Sequence, residues 1–171
     1  MPHLAPLTDA QASPEAQPLF KAIQEKFRAV PNIFRTMGHQ PAVLKATLDL
    51  NQAVQSDLDP KLRELAYLKS SQLNKCRYCT HYHRMAANKV GLSEAQVGGI
   101  ESYETNAAYS DLEKAVLRFA EQWTVKGKVE PAVLTQLSKS LTPAQIVTLA
   151  ASVGLANWTN RFNETFGIEL P

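Results

Sequence analysis

The chain has 171 residues, 44% hydrophobic and 20% charged, which is the size and composition of one soluble globular domain. Its 18 basic and 16 acidic side chains leave a formal net charge of +2, and without a basic patch they do not indicate a nucleic-acid partner. Residues 1–6 lack the basic start and the apolar run of a signal peptide, and polar residues interrupt the most apolar stretch, residues 146–158. We therefore expect a cytoplasmic protein with no membrane partner.

Helix start signals recur along the chain. Residues 1–12 have no apolar periodicity and predict an extended N-terminal arm. Ser13 followed by Pro14 predicts the first helix start, because serine caps free N–H groups and proline suits the first helical position. Signals of this kind, or capping boxes, predict further starts at Pro41, Asp59-Pro60, Ser93, Ser110, Pro131 and Thr142-Pro143. No stretch alternates as a strand would, so we predict an all-α single domain of about eight helices over residues 13–171.

Both cysteines lie in residues 76–83, with the sequence CRYCTHYH. If Cys76 and Cys79 occupy the first turn of a helix, they share one stripe with His83. The positive end of the helix dipole would favour a Cys79 thiolate, and His83 could accept its proton. Glu64, on the preceding predicted helix, is a candidate to orient that histidine. In a cytosolic protein this pattern indicates redox or metal chemistry rather than a structural disulfide.

A redox cycle would give the two cysteines different tasks. After attack on a peroxide oxygen, Cys79 would become a sulfenic acid, and Cys76 is placed to condense with it to a disulfide. A dithiol reductant would then have to reopen that bond.

The same residues allow other interpretations. Cys76, Cys79 and His83 could bind zinc, with Glu64 or His81 as the fourth ligand, although no second Cys or His cluster accompanies them. A dithiol/disulfide exchange protein or a redox sensor would use the same pair without peroxide reduction as its main task. The two thiols could also be inert in a helical scaffold.

The set formed by Glu64, the Cys76-x-x-Cys79 pair and His83 resembles the signature of the carboxymuconolactone decarboxylase/alkylhydroperoxidase-D-like family. Residues 30–35 and 65–74 also resemble this family. Residues 157–163 are similar to the closing helix of its peroxidase-related branch. The resemblance implies an AhpD-like helical bundle that assembles into homo-oligomers, commonly dimers, trimers or hexamers. The Cys-x-x-Cys pair argues against the decarboxylase branch, which lacks it.

The resemblance also implies an activity and its residues. The protein would be a thiol-dependent peroxidase with an antioxidant role, and it would need no cofactor or metal. Cys79 would be the peroxidatic thiol and Cys76 the resolving thiol, while Glu64 and His83 would relay protons to Cys79. The implied partners are a hydroperoxide substrate and a dithiol reductant or an electron donor of thioredoxin or lipoyl type.

One position departs from the best-known peroxidase members of this family. They carry a histidine immediately before the second cysteine, where this chain has Tyr78. A phenol is a far weaker base than imidazole near neutral pH. The relay from Glu64 to Cys79 would then run through His83 and a bridging water, with Tyr78 as an auxiliary residue.

Overall fold

Capping and turn residues divide the chain into nine α-helices in the computed structural model, which describes residues 1–170. The helices are α1 Gln17–Phe27, α2 Asn32–Met37, α3 Pro41–Ala53, α4 Pro60–Leu73, α5 Arg77–Lys89, α6 Glu94–Gly98, α7 Asp111–Lys126, α8 Pro131–Leu137 and α9 Pro143–Phe166. Two short 3₁₀ helices are Asp9–Gln11 and Ile100–Ser102. Residues 1–170 contain no strand, which confirms the predicted all-α single-domain fold. None of the helices in residues 1–170 combines the length and the apolar character that a membrane-spanning segment needs.

The first helix begins later than predicted. The Ser13 hydroxyl accepts a backbone N–H at 3.3 Å and closes an isolated turn. Helix α1 starts after this turn, with Pro18 in its first turn. The division into an arm at residues 1–12 and a domain at residues 13–171 stays a prediction, and Pro171 lies outside the described residues.

Helix α4 lies at the centre of the bundle, packed against α5, α7 and α9. Its residues 64–71 are all buried, although they include two charged residues and two serines. A helix that is buried on every face must pair its polar side chains inside the protein. Lys69 Nζ accordingly contacts Glu121 Oε2 at 2.9 Å. The other charged residue of this stretch, Glu64, is paired at the candidate site.

Side-chain amides and hydroxyls join α9 to the end of α4. Asn74 Nδ2, just beyond α4, donates to Asn157 Oδ1 at 3.0 Å and to Asn160 Oδ1 at 2.9 Å. Asn160 Nδ2 in turn donates to Ser71 Oγ at 3.1 Å. We call these four residues the polar seam. Because buried polar groups are costly to leave unpaired, the polar seam fixes α9 against the corner between α4 and α5.

The capping box at the start of α7 yields a stability prediction. Ser110 Oγ accepts the N–H of Glu113 at 3.3 Å, and Glu113 Oε2 accepts the N–H of Ser110 at 2.7 Å. Ser110→Ala is expected to lower the free energy of unfolding by about 1 kcal/mol, measured by urea denaturation. Ser138→Ala, which removes an exposed hydroxyl after α8, is the control and should change it by less than about 0.5 kcal/mol. Equal losses in the two variants would contradict the capping role.

Candidate active site

The two cysteines lie at the N-terminal end of α5, after a sharp corner. Lys75 takes a left-handed backbone conformation with a φ of 57°, and the chain then enters α5. Cys76 is the N-cap residue, and its Sγ accepts the backbone N–H of Cys79 at 3.2 Å. Both thiols are free and buried, and their sulfurs are 2.6 Å apart. This placement agrees with the prediction of a helix-terminal pair and lets a disulfide form without movement of the helices.

The Cys79 sulfur is the better stabilised anion of the two. It accepts hydrogen bonds from the Cys76 thiol and, at 3.0 Å, from Asn163 Nδ2. The Cys76 bond is the largest cause that lowers the pKa of Cys79, against the opposing effect of burial. The amides of Asn160 and Asn163 and a positive charge on His83 add to it, and the pKa of Cys79 is lowered to about 7. The pKa of Cys76 is raised, first because Cys76 donates its proton to Cys79 and then because it is buried.

Glu64 and His83 form a second pair beside the thiols. His83 Nδ1 and Glu64 Oε2 are 2.7 Å apart, and Arg63 Nη2 donates to Glu64 Oε1 at 3.2 Å. Burial opposes ionisation of Glu64, but the hydrogen bond and charge of His83 and the charge of Arg63 hold the pKa of this carboxyl below its usual value. The ring of Tyr67 stacks on His83 with centroids 3.5 Å apart. The imidazole is thus held from two sides, which leaves Nε2 as the nitrogen for proton exchange.

The structure brings the four predicted residues together as two pairs. Glu64 bonds to His83, and Cys76 bonds to Cys79. Within residues 1–170 no hydrogen bond joins His83 to either sulfur, so the direct bond expected from helical spacing is not formed. His83 acts on Cys79 through its charge, and proton exchange between them needs a bridging water or a small movement of the ring.

Tyr78 makes no side-chain hydrogen bond to the Glu64–His83 pair within residues 1–170. Its side chain is buried in the apolar cluster that also holds both cysteines, and its ring centroid is 4.9 Å from that of Tyr82. The Tyr78 hydroxyl has no hydrogen-bond partner among the described residues, and burial raises the pKa of this phenol. These contacts are those of a packing residue.

Comparison with known proteins shows what the central part of the chain is similar to. Residues 41–122, which include Glu64 and the segment 76–83, match the model of the carboxymuconolactone decarboxylase family. An uncharacterized Bacillus subtilis protein, YdfG, is 26% identical over 130 residues, a stretch that covers 74% of this chain and 88% of YdfG.

Solved structures match the whole fold. An uncharacterized peroxidase-related protein from Silicibacter has a TM-score of 0.80 and 25% identity, with 98% of this chain and 92% of that chain covered. The debrominase Bmp8 has a TM-score of 0.83 and 20% identity, with 98% and 91% covered. The AhpD-like helical bundle implied by the sequence resemblance is therefore confirmed.

Sequence reasoning missed three residues of the site, which are Asn160 and Asn163 on α9 and Tyr67 on α4. Asn163, near the end of α9, contacts Cys79 across a separation of 84 residues along the chain. No spacing within the sequence could place it there, although it lies in a stretch that resembles the carboxymuconolactone decarboxylase family. Tyr67 stands three residues after Glu64, so that the two share a helix face. That spacing could have identified Tyr67.

No group of three His, Cys, Asp or Glu side chains in residues 1–170 has the arrangement of a metal site. An open cleft of about 480 Å³ lies between the N-terminal segment, α2, α3 and α9, and its wall includes Met37, Trp158, Phe162 and Phe166. Neither cysteine lines this cleft.

The environment of Cys79 predicts a pH profile for its reactivity. A pKa of about 7 makes roughly half of Cys79 a thiolate at neutral pH, whereas a free cysteine is about 3% ionised. Alkylation of Cys79 by iodoacetamide is expected to rise through pH 7 and to level off above about pH 8. Peptide mass spectrometry after timed quenching would resolve Cys79 from Cys76, which should stay slower throughout this range. A Cys79 rate that still rises steeply above pH 8 would contradict a stabilised thiolate.

Proposed function

We propose that this protein is a thiol-dependent hydroperoxide reductase that cycles Cys79 and Cys76 between dithiol and disulfide. The observation that carries the proposal is the Cys79 sulfur, which accepts two side-chain hydrogen bonds and has a pKa lowered to about 7. The thiolate is the nucleophilic form of cysteine, and a second thiol in contact with it can trap the oxidised product. The peroxidase-related Silicibacter protein of the same fold supports the same reaction class.

In the proposed cycle the Cys79 thiolate attacks the terminal oxygen of a hydroperoxide, ROOH. An S–O bond forms, the O–O bond breaks, and the departing alkoxide takes a proton that His83 supplies. Glu64 holds His83 by its Nδ1 and stabilises its protonated form. The products of this step are an alcohol, ROH, and a Cys79 sulfenic acid.

The second half of the proposed cycle uses Cys76. Its sulfur attacks the Cys79 sulfur, an S–S bond forms, and the sulfenic oxygen leaves as water with the Cys76 proton. An external dithiol then reduces the disulfide and is itself oxidised. The net reaction converts ROOH and a dithiol into ROH, water and a disulfide, so atoms and electrons balance.

The burial of both sulfurs bears on the proposed partners. Cys76 is fully buried and Cys79 is only 4% exposed, which favours a small oxidant over direct exchange with a disulfide of a folded protein. The electron donor in this proposal is a small dithiol or a donor of thioredoxin or lipoyl type. Homo-oligomeric assembly and a cytoplasmic location stay predictions.

A thiol count tests the proposal. Reduced protein treated with one equivalent of cumene hydroperoxide should lose two thiols per chain and two hydrogen masses, and dithiothreitol should restore both. Intact thiols after this treatment would overturn it. Near-stoichiometric zinc held by both thiols, measured by elemental analysis of gently purified protein, would also overturn it and establish a metal module instead.

Two further substrates separate this function from its alternatives. Faster reduction of a small model disulfide than of cumene hydroperoxide would favour a dithiol exchange protein. The debrominase Bmp8 has been crystallised with 2,3,4-tribromopyrrole, and a dithiol can also supply the two electrons that replace an aromatic bromine by hydrogen. Turnover of tribromopyrrole with no turnover of hydroperoxide would move the assignment to dehalogenation.

A further inference from the structure

Asn163 is a buried polar residue whose backbone is fixed near the end of α9. Its side chain is 2% exposed. The N–H of Ile168 donates to the Asn163 carbonyl at 2.9 Å, and Gly167 ends the helix in a left-handed conformation. This C-terminal cap holds the backbone of Asn163, and the amide is thereby directed at the N-terminal end of α5.

The Asn163 amide nitrogen lies closer to the Cys79 sulfur than to the Cys76 sulfur. Asn163 Nδ2 is 3.0 Å from Cys79 Sγ and 3.9 Å from Cys76 Sγ. A donor stabilises an anion most at the shorter distance. The two thiols share the same helix end and the same apolar cluster, and besides Asn163 the Asn160 amide and the charge of His83 also favour the Cys79 anion. Asn163 is therefore a side chain that distinguishes one thiol from the other.

The second atom of the amide is unused. Asn163 Oδ1 is buried and has no hydrogen-bond partner among residues 1–170. The other two buried asparagines of α9, Asn157 and Asn160, both accept at Oδ1 from Asn74. Unpaired buried acceptors are uncommon, and one beside a reactive sulfur calls for a functional explanation.

Asn163 Oδ1 lies near the sulfur atom of Cys79, where the proposed reaction takes place. The two end atoms of an amide are about 2.3 Å apart, so Oδ1 lies within about 5.3 Å of Cys79 Sγ. An oxygen that is bonded to Cys79 Sγ, or about to bond to it, also lies within this distance of the sulfur. Oδ1 and that oxygen therefore occupy the same region beside Cys79. A hydroperoxide and a sulfenic acid each carry an O–H group that needs an acceptor when it is buried.

We propose that Asn163 is a catalytic residue with two tasks: Nδ2 selects Cys79 as the nucleophile, and Oδ1 accepts the O–H of the hydroperoxide and then of the Cys79 sulfenic acid. The second task rests on the proposed function, and the first does not. Asn163 exchanges no proton and no electron in either step.

Site-resolved alkylation tests the first task. Asn163→Leu removes the donor at similar volume, and Asn163→Asp puts a negative charge beside the sulfur. Both variants should raise the pH at which Cys79 is half alkylated, the Asp variant more. At pH 7 the ratio of Cys79 to Cys76 alkylation should fall about tenfold in Asn163→Leu. Asn157→Leu breaks one bond of the polar seam but removes no hydrogen bond to either sulfur. It is the matched control for loss of α9 packing and should change the ratio by less than about twofold.

Two results would overturn the first task. One is a wild-type alkylation profile in both Asn163 variants, each shown to be folded by circular dichroism. The other is an equal change in Asn157→Leu, which would show that loss of α9 packing and not the amide contact is responsible.

Hydroperoxide kinetics at high pH test the second task. At a pH where Cys79 is fully ionised in wild type and in Asn163→Leu, the variant should still react about tenfold more slowly with cumene hydroperoxide, because the acceptor is gone. Equal rates under these conditions would overturn the Oδ1 role. A wild-type protein that does not consume hydroperoxide would overturn the proposed function and the Oδ1 role together, while the alkylation profile still decides the Nδ2 role.

Discussion

Cys79→Ser is expected to reduce hydroperoxide consumption to the rate measured without protein. A serine hydroxyl is not ionised near neutral pH, so the oxygen-accepting nucleophile is lost. The measurement is the steady-state disappearance of cumene hydroperoxide with dithiothreitol as reductant. Because serine and cysteine are close in size, the buried cluster should keep its packing, which thermal unfolding would verify.

Cys76→Ser is the matched control for that variant, since it makes the same change at the neighbouring sulfur. Its Cys79 should still react once with hydroperoxide and should then persist as a sulfenic acid that dimedone traps, one label per chain. Formation of the intramolecular disulfide should be absent. Full turnover by Cys79→Ser would sink the assignment of Cys79 as the peroxidatic thiol.

Glu64→Gln is expected to slow the reaction with hydroperoxide about a hundredfold, with little change in the helical content. The amide keeps the shape of the carboxylate but cannot stabilise a protonated His83 across the 2.7 Å contact. Stopped-flow measurement of a single turnover would isolate this step from reduction by the dithiol.

Glu121→Gln is the control for Glu64→Gln. Glu121 is also paired with a buried cation, Lys69, but lies on α7 away from the sulfurs, so its loss should change the rate by less than about twofold. Similar losses in both variants would contradict a specific role for Glu64.

Acid stability gives a second readout for Glu64. Its pKa is lowered in the folded protein, so its ionised form contributes stability above the ordinary carboxyl pKa of about 4.3. That contribution is lost as the pH falls through the lowered folded pKa. The difference in free energy of unfolding between wild type and Glu64→Gln should therefore shrink below about pH 4.

Local signals predicted the helices well and failed where a turn resembles a helix start. The caps at Asp59, Ser110 and Thr142 accept backbone N–H groups as their sequences predict, because capping depends on residues only two or three positions apart. Ser13 makes a bond of the same kind but is followed by one turn only. Whether such a turn extends into a helix depends on packing that the sequence window does not contain.

The same distinction between local signals and tertiary packing applies to the candidate site. Helical spacing predicted that Cys76 and Cys79 meet, and the position of Glu64 on the preceding predicted helix made it a candidate to orient His83. Spacing could not show that the imidazole is held by Glu64 and Tyr67 at a position without a bond to either sulfur. Nor could it supply Asn163, because a contact between α9 and α5 is a property of the tertiary fold.

The short distance between the two sulfurs affects which of two reactions a Cys79 sulfenic acid undergoes. A sulfenic acid on Cys79 can either be trapped by Cys76 or meet a second oxidant molecule and pass to the irreversible sulfinic acid. Cys76 Sγ is already 2.6 Å from Cys79 Sγ, at a corner of the chain that the polar seam holds in place. The reaction with Cys76 therefore requires no unfolding of α5. The reaction with a second oxidant molecule is bimolecular, so its rate rises with the oxidant concentration, whereas the rate of the reaction with Cys76 does not. In the proposed cycle the fold therefore protects the enzyme from its own substrate, and it stays active in bursts of oxidant that would inactivate a thiol with a distant partner.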